Sequence, residues 1–137
     1  CALPILLAIT VPSLRGLVLR KRLEGVVNEL GMDMYYARSE ALRRRTTVTV
    51  ASDGTGSRYT LSTSTMGLKT VNLPSGVSVS RNVSVAFDGM RGATAGDSSL
   101  DVAVSGYDAV TLRASVTAIG RVSVCAASGS LPGMPAC

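Results

Sequence analysis

Two cysteines near one end of the chain offer its clearest covalent chemistry. Cys125 and Cys137 bracket AASGSLPGMPA, a segment of glycine, proline and small residues. Such a segment is loose unless it is tied down. A bridge across it closes a loop of about 13 residues and contributes about 3 kcal/mol in the chain-entropy model. The alternative is two free or buried thiols. The bridge is the better reading if the domain lies outside the cytoplasm. Cys1 sits in an oily stretch and reads as an unpaired small hydrophobe.

Little else in the sequence has the makings of a reactive site. There is no His, hence no ordinary general base poised near neutral pH and no imidazole metal ligand. The nine acids are scattered, and none forms a close pair on one expected face. Asp53, Asp88, Asp97, Asp101 and Asp108 fall in turn-like contexts, where aspartate hydrogen-bonds to its own backbone. No GxSxG, P-loop, GxGxxG or CxxC pattern occurs. Asn82-Val83-Ser84 fits the glycosylation triplet, a pattern frequent by chance. The expectation is a chain with no catalytic residue, no metal site and no cofactor, and not an enzyme.

Cations are the remaining resource. The net charge is +5, and residues 15–45 hold eight basic and four acidic side chains, against six and five in residues 46–137. Arg15, Arg20, Lys21 and Arg22 follow the oily start, where a basic flank helps to anchor an apolar segment at a membrane. Arg43, Arg44 and Arg45 suit the negative end of a helix. Arg113 and Arg121, on the last expected strands, are left as candidate phosphate contacts. No aromatic on those strands is available for base stacking.

The elements that must carry these groups begin with Cys1–Leu14, which has no charge and two prolines, Pro4 and Pro12. A membrane span needs about 20 apolar residues, and a secretory signal carries its basic flank before the oily core rather than after it. The preferred reading is the tail end of a longer apolar segment, with roughly ten more residues upstream completing a span. Pro4 lacks an N–H and is expected to interrupt a helix, with the chain extended between Pro4 and Pro12. From about Pro12 to about Arg45 the spacing predicts one helix, about 50 Å long. Leu19, Leu23, Val26, Val27, Leu30, Met34, Ala37 and Ala41 form its apolar stripe. Arg20, Glu24, Glu29, Asp33, Arg38 and Glu40 form the opposite face. Gly16, Gly25 and Gly31 mark bends or close packing. A helix that outruns its own domain has another partner, a membrane or copies of itself.

After Thr46 the period switches to two. TVTVA and RYTLST form a hairpin around Asp53-Gly54; GVSVS, NVSVAF, LDVAVS, AVTLRASVTA and GRVSVCA follow. Six to eight mostly antiparallel strands are expected, with the helix on one face. The class is α+β, with helix first and sheet after.

In this arrangement ELGMDMYYARSEALRRRTTVTV (29–50), LPSGVSVS (73–80), VAFDGMRGAT (85–94), GRVSVC (120–125) and the closing Pro-Ala-Cys resemble the type IV pilin and pseudopilin superfamily, in its GspH/FimT-like branch. The resemblance covers nearly the whole chain. It implies the pilin fold: an apolar anchor and assembly segment at 1–18, and a globular domain at 19–137. In that domain the helix runs to about 45, the sheet spans 46–126 and a tail spans 127–137. The implied function is a structural subunit of a type IV pilus or a type II secretion pseudopilus. Its partners would be other copies of itself or other pilin subunits, and the inner membrane before assembly. The implied precursor lies in the bacterial inner membrane, with a methylated N-terminus after processing, and the filament is periplasmic or extracellular. Leu14, Leu17, Val18, Val26, Val27 and Leu30 are expected against neighbouring subunits, since the sheet should reach only the later half of the helix. The alternative is a DNA-binding minor pilin acting in DNA uptake. That subgroup carries GRxRx, and Gly120-Arg121-Val122-Ser123 keeps one of its two arginines. The prepilin cleavage site and N-terminal glutamate of the family are absent. If Pro12 matches the proline that ends the family's apolar segment, about ten residues precede Cys1 in the mature chain.

Overall fold

A computed structural model describes the backbone of residues 3–107, 110–131 and 133–137, with helical side chains from Gly16 onward. Asp108 and Cys1 lie outside the described residues. One helix, α1, runs from Leu3 to Arg44. It passes through both prolines, which corrects the expected break at Pro4 and Pro12 and the extended chain between them. Pro4 falls in the first turn, where an N–H has no intrahelical acceptor to lose. Pro12 removes one interior hydrogen bond, and the turns on either side carry the helix across.

Arg45 ends the helix in the left-handed region at φ 52°. The Thr46 N–H then bonds back to the Ala41 carbonyl at 3.2 Å, the six-to-one bond of a helix C-cap. The next residues are β-branched, and the period-two pattern takes over.

Eight strands follow: β1 Val48–Ser52, β2 Arg58–Ser62, β3 Gly67–Asn72, β4 Val77–Val79, β5 Ser84–Phe87, β6 Ser98–Val104, β7 Thr111–Val116 and β8 Val122–Ser128. They form two four-stranded antiparallel sheets, ordered β3-β2-β1-β5 and β4-β6-β7-β8. The β1–β2 hairpin pairs Ser52 with Tyr59 around the Asp53 turn, as its sequence predicts. β3 had no counterpart in the sequence reading. Strand residues alternate buried and partly exposed, as in β6 and β7, so each sheet turns one apolar face inward.

α1 covers both sheets, packing on β1, β5, β6, β7 and β8. Its stripe of Leu23, Val27, Leu30, Met34, Ala37 and Ala41 is fully buried against Val50, Leu61, Phe87, Leu100 and Leu112. Gly31 lets the helix close on β8, since a Cβ there would stand 2.9 Å from the Val124 side chain, whereas Gly16 and Gly25 face open space.

The tail is tied down. Cys125 and Cys137 form a disulfide with Cα atoms 5.0 Å apart. The Ala126 N–H donates to the Pro135 carbonyl at 2.7 Å, and the Cys137 N–H donates to the Ala126 carbonyl at 3.0 Å. Leu131 is buried in the core.

Candidate assembly face and ligand surface

The helix divides into two stretches. Among the described side chains, which begin at Gly16, core contacts run from Leu19, partly buried, to Ala41. Upstream, Leu17 is 41 % and Val18 53 % exposed, so both are free to meet another molecule. Leu14 lies outside the described side chains. Val26, Val27 and Leu30 are at most 6 % exposed and belong to the domain's own core. That corrects their expected role against other subunits. The reason is reach: β6, β7 and β8 extend further along α1 than the sequence suggested, and enclose the helix from Leu23 onward.

On the opposite face Met32, Tyr35, Tyr36 and Leu42 are exposed. They follow the i, i+3, i+4 spacing of a helical stripe, a second row hidden in the sequence by the stronger inner one. Leu17 falls on the same side of the helix as Tyr35, at five turns' distance. Tyr35 is also anchored, its hydroxyl donating to the Val122 carbonyl at 3.0 Å.

Asp33 and Glu40 depart from the polar face expected for them. Asp33 is only 5 % exposed. It accepts from the Tyr59 hydroxyl at 2.5 Å and from Lys69 Nζ at 2.7 Å, which ties β2 and β3 to the helix. Burial and the bond to Asp33 push the Tyr59 hydroxyl well above its ordinary pKa. The same carboxylate raises Lys69. Glu40 is gripped by Arg43 and Arg44, each at 2.7 Å. Their hydrogen bonds, Arg43 first, lower its pKa to about 2.

The turn aspartates serve the backbone. Asp53 accepts from the amides of Thr55, Gly56 and Ser57; burial pushes its carboxyl up, but these bonds and the Thr55 hydroxyl outweigh it and hold the pKa below its ordinary value. Asp88 accepts from the Met90 N–H and Asp97 from the Ala118 N–H. Among the described residues no cluster of acids or cysteines could hold a metal ion.

The two candidate phosphate contacts separate. Arg113 is committed to Asp101 through a bidentate pair at 2.6 and 3.2 Å. Arg121 is exposed and forms no ion pair among the described residues. Its neighbour Gly120, at φ 88°, lies hard against the Gly92 carbonyl, and a Cβ there would sit 2.8 Å from Arg38 Nε. Arg38 Nε donates to the same Gly92 carbonyl at 3.1 Å. Gly89 lies against the Thr46 backbone. These contacts draw exposed Arg45, Arg91 and Arg121 to one end of the domain, beside the end of α1. Sequence reading missed Arg45 and Arg91 as neighbours of Arg121, because nothing local marks a contact across 30 to 76 residues.

A long helix laid across antiparallel sheets is the pilin fold. The chain belongs to the GspH family: the family model described as Type II transport protein GspH matches residues 26–129. It is thus a structural subunit of a pilus or pseudopilus. The fold is similar to the type IV minor pilin FimU of Pseudomonas aeruginosa (strain PAO1). The crystal structure in space group P21 is 17% identical and covers 77% of this chain and 89% of that one, with a TM-score of 0.64. The P65 structure is 16% identical and covers 74% and 91%, with a TM-score of 0.62. No curated protein sequence matches the chain.

Proposed function

We propose that the chain enters a type IV pilus or type II secretion pseudopilus through the N-terminal stretch of α1, with Leu14, Leu17 and Val18 packed against other pilin subunits. One observation supports this most. α1 begins at Leu3, while among the described side chains, which begin at Gly16, core contacts start at Leu19. The 16 residues between are about 24 Å of helix, uncharged up to Arg15. A helical stretch so apolar needs cover, and Leu17 and Val18 at its described end are exposed. No helix among the described residues is long and apolar enough to cross a membrane. Anchoring of the precursor in the inner membrane, with residues 1–18 as the anchor, remains part of the proposal, as does the periplasmic or extracellular filament. Leu17→Asp tests it: filaments should be lost while the sheet domain stays folded, and filaments of normal length would refute the reading.

A second reading, DNA binding by a minor pilin, is favoured by the gathering of Arg45, Arg91 and Arg121. Arg113, held by Asp101, drops out of it. Three phosphate contacts would give weak, sequence-independent affinity with a log–log salt slope of about 2–3. Titration with duplex DNA at two salt concentrations checks this. Binding that weakens with salt and in Arg121→Ala supports it; no binding at low salt removes it.

A further inference from the structure

The turn after β6 lies against α1 near the first of the helix's described side chains. The Tyr107 N–H donates to the Val104 carbonyl at 3.3 Å and closes this turn. Gly106, at φ 88°, brings it up to the helix: a Cβ there would stand 3.5 Å from Leu19 Cδ1. Gly16, Leu17, Arg20 and Tyr107 then line an open notch of about 380 Å³. Gly16 leaves the room, since a Cβ at that position meets nothing within 4 Å.

Arg20, Lys21 and Arg22 are consecutive, and the last two are occupied. Lys21 Nζ lies 3.8 Å from Glu24, and Arg22 Nη1 donates to the Ser75 carbonyl at 3.4 Å. Arg20 forms no ion pair among the described residues. Among them its Nε is also the one buried side-chain nitrogen or oxygen with no hydrogen-bond partner. An N–H shut off from water and left unbonded is costly. A guanidinium in that state favours an anion, and its fork of donors matches a phosphate. Position along the helix selects which phosphate. Cys1–Leu14 is uncharged, and Arg20 follows Leu14 by six residues, about 9 Å of helix. The headgroup layer of a bilayer extends about 5–7 Å beyond the hydrocarbon. Helical side chains lean toward the N-terminus, which here is toward the apolar stretch. Tyrosine, amphipathic like half-buried Tyr107, settles at the same level.

We propose that this notch binds the headgroup of an anionic phospholipid before assembly, with the Arg20 guanidinium on the phosphate and Tyr107 beside it. The site presupposes the inner-membrane anchoring proposed above and adds to it. An anchor requires only apolar length, whereas the notch selects a headgroup by charge. Leu17 lines the notch and is also placed against other subunits in the filament, so the lipid leaves as subunits pack.

The test uses the full chain in micelles of an uncharged maltoside, which hold it whether or not it enters a bilayer. Phosphatidylglycerol and phosphatidylcholine are titrated at equal mole fraction. Native mass spectrometry counts bound lipid, and NMR follows the Tyr107 amide. One phosphatidylglycerol per chain should be retained about tenfold over phosphatidylcholine, the factor that one charge-assisted hydrogen bond supplies. Arg20→Gln and Gly16→Leu, which fills the notch, should each remove the preference with the Leu61 amide still protected. If Arg20→Gln loses that protection, Gly16→Leu decides alone. Lys21→Gln removes the same charge outside the notch and should keep the preference. Equal retention of the two lipids overturns the proposal. So does a preference that either notch variant leaves intact, or that Lys21→Gln also abolishes. Glycerol 3-phosphate binding as tightly as the lipid would make the ligand a soluble phosphate ester and overturn the lipid assignment. Asp108 lies outside the described residues; a preference seen only in Asp108→Asn would mean that Arg20 is already paired, and overturns the site. Flotation with phosphatidylcholine vesicles reads the anchor separately. A chain that does not float refutes anchor and lipid site together, and one that floats but shows no phosphatidylglycerol preference refutes the lipid site alone.

Discussion

Replacing Leu30 by alanine separates the two halves of α1 most sharply. Leu30 is 0 % exposed, enclosed with Val27 and Met34 between the helix and both sheets. Leucine-to-alanine changes at enclosed sites cost about 2–5 kcal/mol, more where the surroundings cannot collapse. Packed strands on two sheets leave little room for collapse, so about 3 kcal/mol is the working figure. With a urea m-value of about 1–3 kcal/mol/M, the midpoint should fall by about 1–3 M. Leu17→Asp provides the contrast. Leu17 is 41 % exposed, and the change should cost only about 0.5 kcal/mol of helix propensity. Urea denaturation of both full-length variants, followed by circular dichroism in mild detergent, measures the difference. Leu30→Ala should be destabilised yet assemble whenever it is folded, whereas Leu17→Asp should be stable and fail to assemble. Leu30→Ala with an unchanged midpoint would refute the reasoning. It would return Leu30 to the face expected to meet other subunits.

Two further predictions concern the domain itself. Gly120→Ala forces a side chain into φ 88° and against the Gly92 carbonyl, whereas Gly133, at φ 83°, has nothing within 4 Å. Both should lose about 1–2 kcal/mol for the left-handed conformation, and the excess loss at Gly120, read by urea denaturation, reports the contact. Glu40 has its pKa lowered from 4.5 to about 2 in the folded chain. The unfolded chain therefore takes up a proton there first, and the stability from Glu40, present above pH 4.5, is lost as the pH falls toward 2. Acid titration of Glu40→Gln should show a shallower fall over that window, and an identical profile would count against the Arg43–Glu40–Arg44 grip.

The inner stripe of α1 and most strands were legible in the sequence because their apolar periods are long and unbroken. The limit of the domain along the helix was not. Val26, Val27 and Leu30 read equally well as core or as interface, since a period shows which face is apolar but not what covers it. Asp33 was placed with the solvated charges for the same reason. Its partners Tyr59 and Lys69 lie 26 and 36 residues away, and Lys69 sits on β3, whose GLKTVN lacks the clean alternation of its neighbours. The disulfide was legible as a pairing. Its work of holding the tail against the edge of β8 needed the strand order.

The motifs that carried the family resemblance turn out to be neighbours in space. ARSEALRR supplies Arg38, which holds the Gly92 carbonyl, and Glu40, which holds Arg43 and Arg44. VAFDGMRGAT supplies Gly89 against the Thr46 backbone and Gly92 against Gly120, and GRVSVC supplies Gly120 itself. The shared residues therefore build a joint where the helix end, the loop after β5 and the turn before β8 meet. Bulk is excluded there, which is why three glycines occur in positions that a Cβ would block. The joint consumes Arg38, Glu40, Arg43 and Arg44. It leaves Arg45, Arg91 and Arg121 beside it, exposed and without ion pairs among the described residues. A protein can keep the joint and change those three, so the fold and any affinity for an anionic partner can vary independently on the same motifs.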